Sequence, residues 1–294
     1  YHVIFTKEQE NVLDFISRKL ASGKRPHELL VIKELMRGTR NPINHVLAMV
    51  SHEFGLLVQD KTYSNLVNVL TNQFASGSSK NTYKDCVFIE QINGVYEISS
   101  SFASMLENEE FKYQVEEVVN FGLYRYEKTY KNHYKDSPFT LYEKYDYEDV
   151  CRLLEWAHNE VPLNIGGYKY HKETNTYPVF INYEKEEDIS DTINYEDKFL
   201  SPTLLQAISK GKRTIQSDDV QAAIHADERN IIMDLFVRKN KDDKGAKEFY
   251  YLGRIHHTGQ PVEFTMTKES TAVELQYQLE TPVRADIYDY IVNC

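Results

Sequence analysis

Along the first part of the chain the apolar positions follow a helical period. Val12, Leu13, Phe15, Ile16 and Leu20 keep to one stripe. Ahead of them Thr6 and Gln9 have capping-box spacing, and Ser22-Gly23 ends the run. Pro26 opens a second helix carrying Leu29, Leu30, Ile32 and Leu35, and Pro42 opens a third with Ile43, Val46, Leu47 and Val50. Tyr63–Phe74 supplies a fourth, after which Ser76–Asn81 (SGSSKN) reads as a flexible break. Cys86–Ser99 holds two β-prone runs joined at Asn93-Gly94, the strongest short-range hairpin signal. A long helix is expected over Glu109–Tyr130. Helices followed by one short hairpin give a winged-helix-like arrangement.

The pattern changes at Lys131–Pro138 (KNHYKDSP), which is read as a domain boundary. After a helix at about Glu148–Trp156, short strands are expected at Pro178–Glu184, Ile231–Lys239, Glu248–His257, Pro261–Thr267 and Ala272–Leu279. Helices near Pro202–Ile208 and Ser217–Ala226 interrupt them. The expected fold is α+β: a helical module over residues 1–130, then a β-rich, partly closed barrel over residues 131–294.

Composition narrows the chemistry. A formal net charge of −11 argues against general polyanion binding, which depends on lysine and arginine displacing counterions, but leaves room for a local basic strip. Tyrosine is the outlier, with 22 copies against one tryptophan, and suits wet recognition surfaces as well as cores. Cys86, Cys151 and Cys294 have no metal-type spacing and leave an odd one over, which fits a reducing, cytoplasmic setting. No apolar run is long enough to cross a bilayer, so no membrane partner is expected. The chain opens on tyrosine without a signal peptide, and is read as a fragment of a longer polypeptide.

The phosphate-binding and nucleophile-elbow motifs are absent, as is the paired-histidine zinc motif. His52-Glu53 lacks a second histidine, and His256-His257 point to opposite faces of a strand. Neither catalytic residues nor a metal site are therefore expected. What stands out is Asp188–Ser201 (DISDTINYEDKFLS), where acids and rings crowd together. One reading is a solvated loop. A second is a metal-dependent nuclease centre of the (D/E)-x-K type, using Glu196 and Lys198 with Asp188 or Asp191 upstream. A third is a pocket for a flipped cytosine, whose faces need rings and whose amino group needs a carboxylate. Tyr183 and Tyr195 would supply the rings, Asp191, Glu196 or Asp197 the carboxylate, and Ser209 a further polar wall. Lys210, Lys212 and Arg213 in SKGKRT (Ser209–Thr214) would hold the DNA backbone. A fourth reading, favoured by the net negative charge, is a protein-interaction or dimerisation platform.

Several separated stretches carry a family resemblance: Gly23–Leu35, Leu141–Trp156, Gly166–Ser217, Leu235–Lys239 and Glu248–Ile255. Together they resemble the large C-terminal domain that follows the DEAD/DEAH-type helicase core in many bacterial proteins, in particular modification-dependent (Type IV) restriction endonucleases. The resemblance implies a helical coupling region followed by an SRA/PUA-like reader of 5-methylcytosine or 5-hydroxymethylcytosine in double-stranded DNA. It also implies helicase and nuclease domains elsewhere in the parent, which would use ATP and magnesium, and no cofactor for this part. Where many members carry F-H-W-x-S, this chain has Leu205-Gln206-Ala207-Ile208-Ser209, so its pocket rings must come from elsewhere.

Overall fold

The structure, a computed structural model, describes residues 4–184, 196–240, 247–266 and 270–293. The chain divides into two compact units. One takes Tyr1–Thr140 and Cys151–Val161, the other Leu141–Val150 and Pro162–Cys294.

In the first unit α1 (Lys7–Phe15) starts at the Thr6 capping box, with both reciprocal bonds made. Then come α2 (His27–Met36), α3 (Pro42–His52), α4 (Thr62–Leu70) and α5 (Gly77–Thr82). The hairpin of β1 (Ile89–Ile92) and β2 (Val95–Ile98) turns at Asn93-Gly94, as its two positive-φ residues require. After α6 (Ser100–Met105), α7 (Glu109–Arg125) is capped by Asn108, whose side chain accepts from the Phe111 N–H at 3.0 Å. The SGSSKN stretch is not a break: its residues form α5, a short helix with no buried side chain. The long helix gives way at Arg125 to a π-turn over Tyr126–Tyr130. At Gly23 (φ +78°) an added Cβ would lie 2.6 Å from the Gly122 carbonyl oxygen, and one at Gly122 would lie 2.9 Å from the Ala21 Cα. Two glycines thus let the chain after the first helical run pass against α7 at backbone distance.

Beneath these helices lies a buried charge cluster. Glu28, with no exposure, is paired with Arg25 and takes Arg152 Nη1 at 3.1 Å. Arg25 Nη1 also donates to Asn65 Oδ1 at 2.7 Å, and Asn65 Nδ2 to the Trp156 carbonyl at 2.7 Å. These bonds fasten Cys151–Val161 into the first unit, because Arg25, Glu28, Asn65 and Arg152 are all buried and a lost partner would leave a buried polar group unpaired.

The second unit is a seven-stranded sheet. β3 (Lys144–Tyr145) precedes the helix α8 (Tyr147–Leu153), on which the chain leaves this unit; it returns at α9 (Pro162–Ile165). β4 (Thr176–Glu184), β5 (Lys198–Ser201), β6 (Leu204–Ile208), α10 (Asp218–Ile224), β7 (Ile232–Asn240), β8 (Phe249–Thr265), β9 (Thr271–Leu279) and α11 (Ala285–Val292) follow. Strand order is β4-β7-β8-β9-β6-β5, with β3 beside β8; β4 and β7 run parallel and the other pairs antiparallel.

β8 replaces the two strands expected from the sequence. Up to Arg254 it pairs with β7, from Ile255 with β9, and Pro261 falls in the register shift between Thr258 and Val262, where its missing N–H breaks no ladder bond. The helix expected near Pro202–Ile208 is instead β6. Ser201-Pro202-Thr203 forms the turn of a hairpin, Ser201 Oγ accepting the Thr203 N–H at 3.2 Å, and β6 pairs with both β5 and β9. The edge strand β4 shares one buried core with β6 and β9, with α10 and α11 inserted through Val220, Ala222, Ala223, Ile287 and Ile291, so the sheet curls on itself. The mixed α+β class holds.

Candidate functional site

The curled sheet encloses a cavity of about 120 Å³. Its walls come from the loop Gly166-Gly167-Tyr168, from Tyr177, Val179 and Ile181 on β4, from Asp197 just before β5, from Ala207, Ile208, Ser209 and Lys210, and from Leu275 and Tyr277 on β9. Period-two alternation explains most of this list, since Tyr177, Val179 and Ile181 share one face of β4 as Leu275 and Tyr277 share one face of β9. The glycine pair, both at positive φ, turns the chain so that Tyr168 comes back against β4, where the Gly167 carbonyl accepts the Phe180 N–H at 2.6 Å.

Tyrosine rings dominate one side. Tyr177 lies between Tyr168 (5.7 Å between centroids, 23° between planes) and Tyr170 (5.8 Å, 18°). Asp219 locks them: its Oδ2 accepts from the Tyr168 hydroxyl at 3.0 Å and from Arg213 Nε at 2.8 Å, and its backbone carbonyl accepts from the Tyr177 hydroxyl at 2.9 Å. The Tyr168 oxygen in turn accepts the Lys210 N–H at 3.1 Å, while Lys210 Nζ sits 4.7 Å from the Tyr168 ring centroid. Burial pushes the Tyr168 phenol well above its usual range and pulls the Lys210 ammonium below its own.

The carboxylate of the cavity is Asp197. Its Oδ1 accepts the Ile208 N–H at 2.8 Å, which ties the approach to β5 onto the end of β6. Ser209 is a latch between strands. Its Oγ accepts the Val273 N–H at 2.8 Å and donates to the Lys210 carbonyl at 3.0 Å. Beside the cavity, sharing Tyr168 and Lys210 with it, opens a cleft of about 470 Å³ lined also by Lys169, Tyr170, Lys172, Arg213, Asp218 and Asp219. With Arg213 bridged to Asp219, the lysines Lys169, Lys172 and Lys210 give that cleft its cationic character.

Of the residues singled out from the sequence, Asp197, Ser209 and Lys210 meet at the cavity. Tyr183 does not line it. Six residues beyond Tyr177 on the same face of β4, or roughly 20 Å along the strand, it packs on Phe199 at 6.0 Å. Glu196 is exposed and contributes its backbone carbonyl, which accepts from Gln206 Nε2 at 3.3 Å. Lys198 is exposed at the start of β5, and Lys212 is exposed in a left-handed turn held by Ser270. Asp188, Asp191 and Tyr195 lie outside the described residues. Among the described residues no three His, Cys, Asp or Glu side chains are grouped to hold a metal ion, and no helix is long and apolar enough to cross a membrane.

Sequence reasoning missed Tyr168, Tyr177, Tyr277 and Asp219. Signals for two of them were present: a ring–cation alternation, Tyr168-Lys169-Tyr170, directly after a glycine pair, and a tyrosine at an inward-facing position of the β9 alternation.

Residues 139–291, more than half of the chain, match the family model described as domain of unknown function DUF3427. The chain belongs to that family. Residues 1–131 match a second model, domain of unknown function DUF8090. No curated protein matches the chain. Among solved structures it is similar, at 11% identity and a TM-score of 0.34, to KRYPTONITE in complex with mCHG DNA and SAH, and to KRYPTONITE in complex with mCHH DNA, H3(1-15) peptide and SAH. Each similarity covers 51% of this chain and 34% of the other.

Proposed function

We propose that the second unit is an SRA-like reader of modified cytosine in double-stranded DNA, taking the base into its cavity by flipping. The observation that supports this best is the cavity itself. An apolar cavity of about 150 Å³ holds a benzene ring, so a partly open space of about 120 Å³ is on the scale of one pyrimidine. Its tyrosine wall suits the flat faces of a base, and Asp197 suits the amino group of cytosine. The cationic cleft beside it suits the phosphodiester backbone on either side of an extruded nucleotide. On this reading the first unit, with its helices and single hairpin, is a winged-helix-like coupling module. The chain itself catalyses nothing and serves a cytoplasmic parent of the SauUSI type, a Type IV restriction endonuclease whose helicase and nuclease domains use ATP and magnesium. A homodimer is compatible with this arrangement.

Asp197→Asn tests the pocket, because an amide oxygen still accepts the Ile208 N–H while charge-assisted acceptance from a base amino group is lost. Affinity for a duplex carrying 5-methylcytosine or 5-hydroxymethylcytosine should fall about 10- to 100-fold, with plain duplex unaffected. An equal loss on both duplexes would remove Asp197 from base recognition.

A further inference from the structure

The polar groups of the cavity are nearly all committed to the protein. The Tyr168 hydroxyl donates to Asp219 and accepts from Lys210; the Tyr177 hydroxyl donates to the Asp219 carbonyl; the Ser209 hydroxyl both donates and accepts between strands. Tyr277 differs. The residue is 3% exposed, its hydroxyl makes no hydrogen bond to the described residues, and that hydroxyl is not one of the sealed unpaired polar atoms, so it keeps access to the cavity that Tyr277 lines. The ring contact at its edge is His257, 6.4 Å away at 80°. Its ring is fixed on β9 opposite Leu205 of β6, and it lines the same cavity as Tyr168 and Asp197. A hydroxyl that opens on a cavity without a protein partner takes its hydrogen bond from what enters, water or ligand. Burial, first, and the neighbouring phenol and carboxylates, second, push its pKa far above the usual tyrosine range, so it remains a protonated donor at any ordinary pH.

We infer that the Tyr277 hydroxyl is a specificity-determining donor, bonding the acceptor edge of the flipped cytosine, O2 or N3, while Asp197 takes the amino group. This rests on the base-pocket reading above. A carboxylate acceptor and a phenolic donor on one cavity match the alternation of donor and acceptors along the pairing edge of cytosine. Lys210 cannot take the same part, because its ammonium group is held over the Tyr168 ring at the boundary with the cleft.

The test uses the whole chain, with Tyr277→Phe and Asp197→Asn variants. Each is titrated at one fixed salt concentration against duplexes carrying cytosine, 5-methylcytosine or 5-methylpyrimidin-2-one, the last being the methylated base without its amino group. Tyr277→Phe should melt as the parent does, since the deleted hydroxyl has no partner. It should bind plain duplex equally and methylated duplex about ten-fold more weakly, the worth of one buried hydrogen bond left unmade. The same loss should persist on the amino-free base, where Asp197→Asn should cost nothing further. Undiminished binding of methylated duplex by Tyr277→Phe overturns the role of Tyr277 alone. So does a loss that disappears on the amino-free base, or one that strikes plain and methylated duplex alike. Failure of the parent chain to distinguish methylated from plain duplex overturns the pocket reading and this inference together.

Discussion

Glu28 sits fully buried between two guanidinium groups, and against the cost of burial both hold its carboxyl far below the usual range. Replacing it with glutamine leaves Arg25 and Arg152 buried and uncompensated, which should cost about 3–5 kcal/mol. An unfolding free energy from denaturant titration within about 1 kcal/mol of the parent would contradict that. The adjacent His27 carries a separate pH signature. Burial lowers its pKa to about 3, with Arg25 adding to the effect. The unfolded imidazole takes a proton near pH 6.5 and the folded one refuses it, so stability is full above that pH. Below it, stability should fall by about 1.4 kcal/mol per pH unit until the folded site titrates near pH 3. Glu28 adds its own loss below about pH 4.5, where the unfolded carboxylate takes a proton that the folded one still refuses. Unfolding curves at pH 7.5 and 5.5 measure the His27 slope, and His27→Gln should flatten it.

At the scale of elements, Gly23 is the position where backbone geometry allows no substitute. Alanine there meets both a positive φ and the Gly122 carbonyl at 2.6 Å, so Gly23→Ala should cost more than the roughly 1 kcal/mol of an unfavourable φ alone. Alanine at Gly38, equally left-handed but with open space around it, is the control and should cost only that conformational share. The elements also show how far the sequence could be read. Helices with period-3.6 stripes and proline or capping-box starts, and the Asn93-Gly94 hairpin, were legible because local chemistry decides them. Leu204–Ile208 was not. A Ser-Pro pair followed by two leucines reads as a helix start, but the stretch is flanked by β5 and β9, and ladder pairing outweighs local propensity. Residues that meet through sheet curling were equally hidden. Tyr168, Tyr177 and Tyr277 are separated by up to 109 positions, and nothing local in the sequence marks them as neighbours. Asp197, which lines the cavity, stands in a local crowd of acids and rings, but that crowd offered Asp191 and Glu196 equally and did not single it out.

For the whole molecule, a body of net charge −11 can hold a DNA backbone only at a local cationic cleft. Lys169→Gln with Lys172→Gln should weaken binding to plain and modified duplex alike. It should also lower the slope of log affinity against log salt by about one per lysine removed. An unchanged slope would place the DNA backbone elsewhere. Selectivity for the base is bounded as well: a 5-methyl group contributes about 1–3 kcal/mol in a shaped pocket, so preference for the modified base should not exceed about two orders of magnitude. The most direct measurement titrates this chain, at one moderate salt concentration, against duplexes identical except for cytosine, 5-methylcytosine or 5-hydroxymethylcytosine at one position. Tighter binding to a modified duplex, by about 10- to 100-fold, is the result predicted. Equal affinity for all three would contradict the base-reading cavity.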